Sequence, residues 1–259
     1  MYLNNEGLIR GLSKVAFPLM SWGRRNGDSS IFKVDERTRF KLRANTSDLF
    51  VVLEIWGLKV YDDAKFTIKP QDVIVDIGAH IGVFAVRAAQ RAFQGQVFAY
   101  EASRQNYDVL VENCGLNRLM NLHAHNVAVW DRAGTMELSF PDSNGAFASL
   151  MQESSADRET VAATTLDMLV ERNKLDHIDL LKIDAEGAEY PILFGCSDET
   201  LRKIRCLVLE YHDYEDGKWG HEDLERFLKS KGFQVTTAPG ILLGGFLFGT
   251  GCLKAWRAN

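Results

Sequence analysis

Two short stretches of the chain combine glycines with carboxylates in a spacing suited to a nucleoside. The first, residues 76–82, reads Asp-Ile-Gly-Ala-His-Ile-Gly and follows an apolar run. Its glycines permit a tight turn and a close ligand approach, and the helix expected after it offers unpaired N–H groups. The second ends in Glu101, 23 residues after Gly78, where an acid suits hydrogen bonds to ribose hydroxyls. Together they predict a nucleoside site at the carboxyl ends of parallel strands.

The charge next to the first glycine indicates which nucleoside the turn prefers. Loops that bind a pyrophosphate favour the spacing Gly-x-Gly-x-x-Gly, in which the second glycine admits the phosphates. Here three residues separate Gly78 from Gly82, and Asp76 lies two residues before the first glycine. That carboxylate repels a pyrophosphate and attracts an ammonium or sulfonium group. The turn therefore favours S-adenosylmethionine over a nicotinamide dinucleotide, and a nicotinamide-dependent Rossmann oxidoreductase is the alternative.

The elements that must position these residues alternate between strand and helix after residue 70. Strands are predicted at residues 73–77, 96–101, 122–129, 178–184 and 206–211, and helices at residues 80–93, 103–114, 165–173 and 222–231. Nearly continuous apolar strands that alternate with helices are typical of a mainly parallel sheet covered on both faces. We therefore predict an α/β, Rossmann-like fold. The last strands lack a helix between them, so one of them can run antiparallel.

The 259 residues allow one large domain or one domain with a cap, and the pattern changes near Pro70. We predict an N-terminal cap of helix and strand over residues 1–70 and the α/β domain over residues 71–259. Apolar residues at helical spacing between Ile9 and Met20 predict a helix packed on the body of the protein. Residues 232–253 carry no charge, but their six glycines favour buried strands near residues 241–248 over a membrane span.

Composition excludes several classes of function. Hydrophobic residues make up 46% of the chain and charged residues 25%, which is ordinary for a globular protein and argues against disorder or a fibrous repeat. A formal net charge of −5 provides no general attraction to phosphate backbones, so we expect no nucleic-acid partner. The four cysteines lie far apart and the N-terminus does not resemble a secretion signal. We therefore expect a cytoplasmic protein with reduced thiols and no stable membrane insertion.

Four ordered motifs resemble those of the FkbM family of class I S-adenosylmethionine-dependent methyltransferases. They are residues 76–82, the Tyr-Glu-Ala of residues 100–102, the Leu-Lys-Ile-Asp-Ala-Glu-Gly-Ala-Glu of residues 181–189 and the Leu-Glu of residues 209–210. The family usually has Asn where His80 stands and Pro where Ala102 stands. The resemblance spans roughly residues 49–210 and implies a mainly parallel seven-stranded sheet with a small N-terminal cap. It also implies methyl transfer from S-adenosylmethionine to a hydroxyl of a small-molecule or carbohydrate-like acceptor.

The resemblance further implies where the cofactor would lie. The residues that would line the methionine moiety are Asp76, Gly78, Ala79 and Gly82, with His80 in the same turn. Glu101 would hold the ribose hydroxyls. The adenosine and its base would be bordered by Ala102, Ser103, Asn126, Val127 and Ala128. Asp184, at the end of the fourth strand, would lie close to the transferred methyl.

The reaction so implied needs little covalent help from the protein, because a substrate oxygen attacks the sulfonium methyl directly and positioning supplies much of the rate. An alcohol is a weak nucleophile, so a general base is useful, and the candidates are Asp184, Glu186 and His212. Alternatively, side chains after the fourth and fifth strands could converge on a divalent cation such as Mg²⁺, namely Asp184, Glu210, His212 and Asp213. The sequence leaves both routes open, as well as a non-catalytic protein that keeps the cofactor pocket as a scaffold.

Overall fold

The computed structural model describes residues 29–140, 157–214, 217–239 and 250–257. Its strands are β1 (Ser29–Lys33), β2 (Arg39–Arg43), β3 (Val73–Ile77), β4 (Gln96–Glu101), β5 (Leu122–Asn126), β6 (Ala128–Trp130), β7 (Gly134–Phe140), β8 (Asp157–Thr165), β9 (Ile178–Ile183), β10 (Ile204–His212), β11 (Gln234–Pro239) and β12 (Thr250–Trp256). Its α-helices are α1 (Asp48–Val52), α2 (Val83–Arg91), α3 (Arg104–Leu116), α4 (Leu166–Arg172), α5 (Glu189–Phe194), α6 (Asp198–Lys203) and α7 (His221–Ser230).

Seven of these strands form one sheet in the order β11-β12-β10-β9-β3-β4-β5. Parallel pairing joins β5, β4, β3, β9 and β10, whereas β12 runs antiparallel to both β10 and β11. The predicted α/β fold with a mainly parallel sheet is thus confirmed, and so is an antiparallel strand near the C-terminus. Strands β6, β8 and β7 form a second sheet. Because the carboxyl ends of parallel strands share one edge, the polar residues that follow β3, β4, β9 and β10 meet there.

The central strands are buried on both faces. Neighbouring residues alternate between two hydrophobic cores, so Ile74 packs on one side of the sheet and Val75 on the other, and both are fully buried. This double burial explains the continuous apolar runs in the sequence. Asp76 of β3 and Lys182 of β9 interrupt these runs although they are only 0% and 2% exposed. Charged side chains are almost never buried unless they are paired, so these two residues call for partners inside the protein.

The segment before β3 packs onto the core of the sheet. β1 and β2 form an antiparallel hairpin, which α1, a π-helical segment (Leu53–Leu58) and a 3₁₀ turn (Ala64–Phe66) follow. Its buried apolar side chains lie in the same core as α2, namely Phe40, Leu42, Leu49, Val52, Ile55, Tyr61 and Phe66. Arg87 of α2 holds the segment down, because it donates a 2.6 Å hydrogen bond to Ile55 O and pairs with Asp62. The division near residue 70, in the turn before β3, stays a prediction.

Two predicted boundaries differ from the structure by three residues, and the others agree within two. The helix expected from residue 80 begins at Val83, because His80 and Gly82 have φ angles of 52° and 83°, which a right-handed helix does not allow. The strand expected over residues 122–129 is interrupted after Asn126, and β6 pairs with β8. The helix predicted between residues 9 and 20 and the strands near residues 241–248 lie outside the described residues. Among the helices that are described, none combines the length and hydropathy that a membrane crossing requires.

We expect Arg87→Met to destabilise the protein by about 2–4 kcal/mol, because it removes the hydrogen bond to Ile55 O and the buried partner of Asp62. The measurement is the free energy of unfolding in urea. Arg91→Met is the matched control, since Arg91 also reaches Asp62, at 3.4 Å, but from an exposed position. Arg91→Met should lower the free energy of unfolding by no more than about 0.5 kcal/mol. Equal losses in the two variants would contradict the role assigned to Arg87.

Candidate active site

A cavity of about 1180 Å³ lies between the carboxyl edge of the sheet and the segment that precedes β3. The predicted site residues in its wall are Gly78, Ala79, His80, Glu101, Ala102, Val127, Ala128, Asp184, Glu186 and His212. The predicted residues that are not part of the wall are Asp76, Gly82, Ser103 and Asn126. A drug-sized ligand typically occupies a pocket of about 300–1,000 Å³, so this cavity can hold more than one small molecule.

The turn after β3 brings the backbone close to the end of β9. Gly78 has a φ of 73°, and a Cβ at this position would lie 1.7 Å from the Asp184 carbonyl oxygen, so only glycine fits. His80 also lies in the left-handed region, which is uncommon for a residue with a side chain. Burial lowers the pKa of His80 to about 4, so its imidazole is neutral at physiological pH. The turn therefore presents glycine backbone and an uncharged ring to the cavity.

A buried ion pair supports this turn from behind. Lys182 Nζ lies 3.0 Å from Asp76 Oδ1 and 3.5 Å from Asp184 Oδ2. It also donates a 3.1 Å hydrogen bond to Gly78 O. Burial lowers the pKa of Lys182, but the two carboxylates outweigh burial and raise it, so the ammonium stays charged. Asp76 therefore supports the turn indirectly, through Lys182. A direct contact between Asp76 and a ligand stays a prediction.

Glu101 ends β4 and is held in place by three donors. Its Oε2 accepts a 2.7 Å hydrogen bond from His80 N, and its Oε1 accepts one of 2.9 Å from Ser103 N. Asn106 Nδ2 lies 3.4 Å from Oε1. An ionised carboxylate offers about four lone-pair sites, so it can accept a further hydrogen bond from a ligand hydroxyl. This rigid carboxylate in the cavity wall suits the predicted role of Glu101 beside a ribose.

Residues after β4 and β5 complete the same end of the cavity. Asn126 Nδ2 donates hydrogen bonds of 3.0 Å and 2.9 Å to the carbonyl oxygens of Glu101 and Ala102, so it fixes the loop after β4 from behind the wall. Val127 and Ala128 lie in the wall itself and offer apolar contact to a planar base. One carboxylate beside apolar surface is an arrangement that suits a nucleoside.

The other end of the cavity is acidic. Four carboxylates from three segments of the chain line it, namely Glu54, Asp184, Glu186 and Glu210. Burial raises the pKa of Glu54 to about 7, that of Glu186 to about 7 and that of Glu210 to about 8, and the charge of Asp184 contributes in each case. Tyr61 OH donates a 3.3 Å hydrogen bond to Asp184 Oδ2. This end of the cavity therefore suits a ligand that is positively charged or rich in hydrogen-bond donors.

His212, at the end of β10, lies between two glutamates. Its Nδ1 is 3.3 Å from Glu189 Oε1, and its Nε2 is 3.4 Å from Glu186 Oε2. Glu189 is fully buried and accepts hydrogen bonds from Ala185 N at 2.9 Å and Gly187 N at 3.0 Å, so it is rigid. Burial lowers the pKa of His212, but Glu189 and Glu186 outweigh burial and raise the pKa to about 10. The imidazole is therefore charged at neutral pH and acts as a hydrogen-bond donor.

Three of these side chains have the spacing of metal ligands. Among the described residues, ligand atoms of Asp184, Glu186 and His212 lie within 4.8 Å of one another. Two carboxylates and one imidazole are a donor set that a divalent cation accepts. Asp213, which the sequence placed in such a set, instead accepts hydrogen bonds from the backbone and ring of His221, at 2.6 Å and 2.8 Å. The cluster thus keeps Asp184 and His212 of the predicted cation set and contains Glu186 instead of Glu210 and Asp213, and the binding of a cation stays a prediction.

Sequence reasoning did not single out several residues that shape the site. The sequence does contain an indication for Lys182, because a charged residue within an apolar central strand needs a buried partner. For Glu54 and Tyr61 the sequence contains no such indication, because they reach the cavity only through the folding of the segment before β3. Their position on a π-helical segment and in the loop after it follows from tertiary packing rather than from a motif.

With this geometry described, comparison with known proteins decides the family. The family described as "Methyltransferase FkbM domain" matches residues 76–235, which include the turn after β3, Glu101 and the acidic strand ends. The chain belongs to the FkbM methyltransferase family. The resemblance stated from the sequence motifs is thereby confirmed, and the protein is an S-adenosylmethionine-dependent methyltransferase.

Three relatives illustrate the similarity within the FkbM family. "Methyltransferase sdnD" of Sordaria araneosa is 29% identical over 218 residues, which are 72% of this chain and 82% of the relative. "31-O-demethyl-FK506 methyltransferase FkbM" of Streptomyces tacrolimicus is 27% identical, with 76% and 85% covered. "Hexuronic acid methyltransferase AglP" of Haloferax volcanii is 27% identical, with 64% and 70% covered.

One solved structure supports the fold. It is a SAM-dependent methyltransferase from Agrobacterium tumefaciens, with a TM-score of 0.51 and 14% sequence identity over 91% of this chain and 72% of that chain. At this identity the similarity shows the Rossmann-like fold alone.

We expect Asp76→Asn to destabilise the enzyme by about 3–5 kcal/mol, because the ammonium of Lys182 then loses its main buried counter-charge. The double variant Asp76→Asn/Lys182→Met should recover much of this loss, since no buried charge is left unpaired. The measurement is the free energy of unfolding for both single variants and the double variant. Losses that simply add would contradict a direct interaction between the two side chains.

Proposed function

We propose that this FkbM-family enzyme transfers a methyl group from S-adenosylmethionine to a hydroxyl oxygen of a small-molecule or carbohydrate-like acceptor. The observation that carries the proposal is one continuous cavity, with Glu101 and apolar wall at one end and carboxylates with His212 at the other. The names of two relatives support the acceptor class, because one specifies 31-O-demethyl-FK506 and the other a hexuronic acid. The net charge of −5 favours such an acceptor over a nucleic acid.

The cofactor, in this proposal, spans the cavity along the carboxyl edge of the sheet. Glu101 binds the ribose hydroxyls. The residues beside the adenosine are Ala102, Val127 and Ala128, with Ser103 and Asn126 behind them. The methionine moiety follows the turn formed by Gly78, Ala79, His80 and Gly82, which the Asp76–Lys182 pair supports. The sulfonium methyl then points toward Asp184.

The chemical step is an in-line displacement at that methyl. The acceptor oxygen forms a bond to the methyl carbon while the bond from carbon to sulfur breaks, so S-adenosylhomocysteine leaves with a neutral sulfur. The acceptor hydroxyl donates a hydrogen bond to Asp184 or Glu186, and that carboxylate takes its proton. His212 already carries a proton between Glu189 and Glu186, so its proposed part is to orient the acceptor and to keep Glu186 in place. Positioning supplies most of the rate.

We expect Asp184→Asn to lower turnover by roughly 100-fold or more and to weaken S-adenosylmethionine far less, by no more than about tenfold, because the variant removes the proton acceptor but only one charge near the sulfonium. Turnover is measured as transfer of labelled methyl to an acceptor in cell extract, identified by mass spectrometry. The control is Asp198→Asn, an exposed acid on α6 that should change neither quantity. Label found on nitrogen, no transfer by the natural enzyme, or unchanged turnover in Asp184→Asn would contradict the proposal.

A divalent cation is the second route to an activated acceptor. Asp184, Glu186 and His212 would hold it, and when bound it would lower the pKa of the acceptor hydroxyl. His212 would first have to give up its contact with Glu186, and Glu189 would keep the ring oriented through Nδ1.

The two routes respond differently to a chelator. Because both His212 nitrogens already face carboxylates, we expect the direct route, with methyl transfer reduced less than about twofold in excess EDTA. The measurement is the rate of label transfer before and after chelation. Complete loss of activity that Mg²⁺ restores would replace the direct route by the cation route.

A further inference from the structure

The Glu54 side chain lies in the cavity wall without a protein partner. It makes no hydrogen bond and no ion pair with any residue within the ranges 29–140, 157–214, 217–239 and 250–257, although it lines the acidic end of the cavity together with Asp184 and Lys182. Glu101 and Asp184 have such partners, whereas Glu210, like Glu54, has none among the described residues. Glu101 accepts three hydrogen bonds, and Asp184 accepts one from Tyr61. The Glu54 carboxylate can therefore accept a contact from a ligand that enters the cavity.

The backbone holds Glu54 firmly in this position. It lies on the π-helical segment Leu53–Leu58, a type of helix that occurs frequently at functional sites. The next residue, Ile55, is buried, and its carbonyl oxygen accepts the hydrogen bond from Arg87. The segment ends at Lys59, whose φ of 55° turns the chain away. The carboxylate is therefore directed into the cavity by packing on both sides of it.

Neither Lys182 nor His212, the two charged cations of the cavity wall, forms an ion pair with Glu54. The charge of Lys182 lowers the pKa of Glu54, but its ammonium lies 3.0 Å from Asp76 and 3.5 Å from Asp184. The second cation, His212, lies between Glu189 and Glu186. Burial raises the pKa of Glu54 to about 7, and the negative charge of Asp184 adds to this effect. A positively charged ligand beside Glu54 would lower this pKa and pair with the ionised carboxylate.

We propose that Glu54 recognises the positive charge of the sulfonium donor and so makes the enzyme prefer S-adenosylmethionine to S-adenosylhomocysteine. The proposal rests on the proposed placement of the cofactor, which runs from Glu101 along the turn at Gly78 to Asp184. Donor and product share the adenosine, the amino group and the carboxylate, and they differ at sulfur by one methyl and one positive charge. Only a group that faces the sulfur can tell them apart by charge.

This preference would favour the replacement of product by donor. Once the methyl has left, the sulfur is neutral and its attraction to Glu54 is lost, so the product is held less tightly than the donor was. The contact made by Glu54 is thus present in the ground state and absent in the product complex, which favours exchange of product for fresh donor.

The test is calorimetric binding of three ligands to the full chain without acceptor. They are S-adenosylmethionine, S-adenosylhomocysteine and sinefungin, which carries a charged amine in place of the methylated sulfur. In Glu54→Gln we expect the two charged ligands to bind about tenfold more weakly and S-adenosylhomocysteine to bind within about twofold of the natural enzyme. Glu101→Gln is the matched control. It should weaken all three ligands to a similar extent, because all three carry the ribose.

Glu54→Asp provides a second variant that keeps the charge. It should retain the preference for the charged ligands to within about threefold, and a loss as large as that in Glu54→Gln would overturn the proposal. An unchanged affinity ratio in Glu54→Gln, or an equal loss for all three ligands, would also overturn it. A natural enzyme that binds none of the three ligands would instead refute the placement of the cofactor, so the two failures can be told apart.

Discussion

The buried ion pair between Asp76 and Lys182 is the interaction on which the site depends. The two residues lie side by side on the parallel strands β3 and β9, and neither is more than 2% exposed. The ammonium reaches past its partner to Gly78 O and toward Asp184, so one buried charge joins the cofactor turn to the strand end that carries the chemistry. Removing either partner of such a buried pair leaves an unpaired charge, which is strongly destabilising. The pair therefore fixes the positions of the turn and of the strand end relative to each other.

Much of the fold could be predicted because the signals were local. Apolar strands, the glycine turn and the acid at the end of β4 follow from residues near one another in the chain, and the structure places them as expected. Predicted boundaries were wrong where the backbone conformation of a single residue sets the start of an element. One example is His80, whose positive φ delays the start of α2. Asp213 was misplaced because the side chain can turn toward α7 instead of the cavity, and sequence spacing does not specify that choice.

Contacts between segments that are distant in the chain could not be predicted from the sequence. Tyr61 and Asp184 are 123 residues apart in the chain, yet their side chains meet at 3.3 Å. No periodicity or motif encodes such an approach, because it depends on how the segment before β3 lies across the sheet. Glu54 enters the cavity by the same means. The strand ends therefore identified three of the four carboxylates at the acidic end, and tertiary packing supplied Glu54.

Part of the cavity wall comes from a single short stretch, residues 45–61, whose Phe50 is 64% exposed although it borders the cavity. The buried strands of the sheet tolerate few substitutions, because their side chains are packed on both faces. Exposed positions of this stretch, such as Phe50, can change at much lower cost in stability. Evolutionary variation in what the cavity admits is therefore expected to concentrate at such exposed positions.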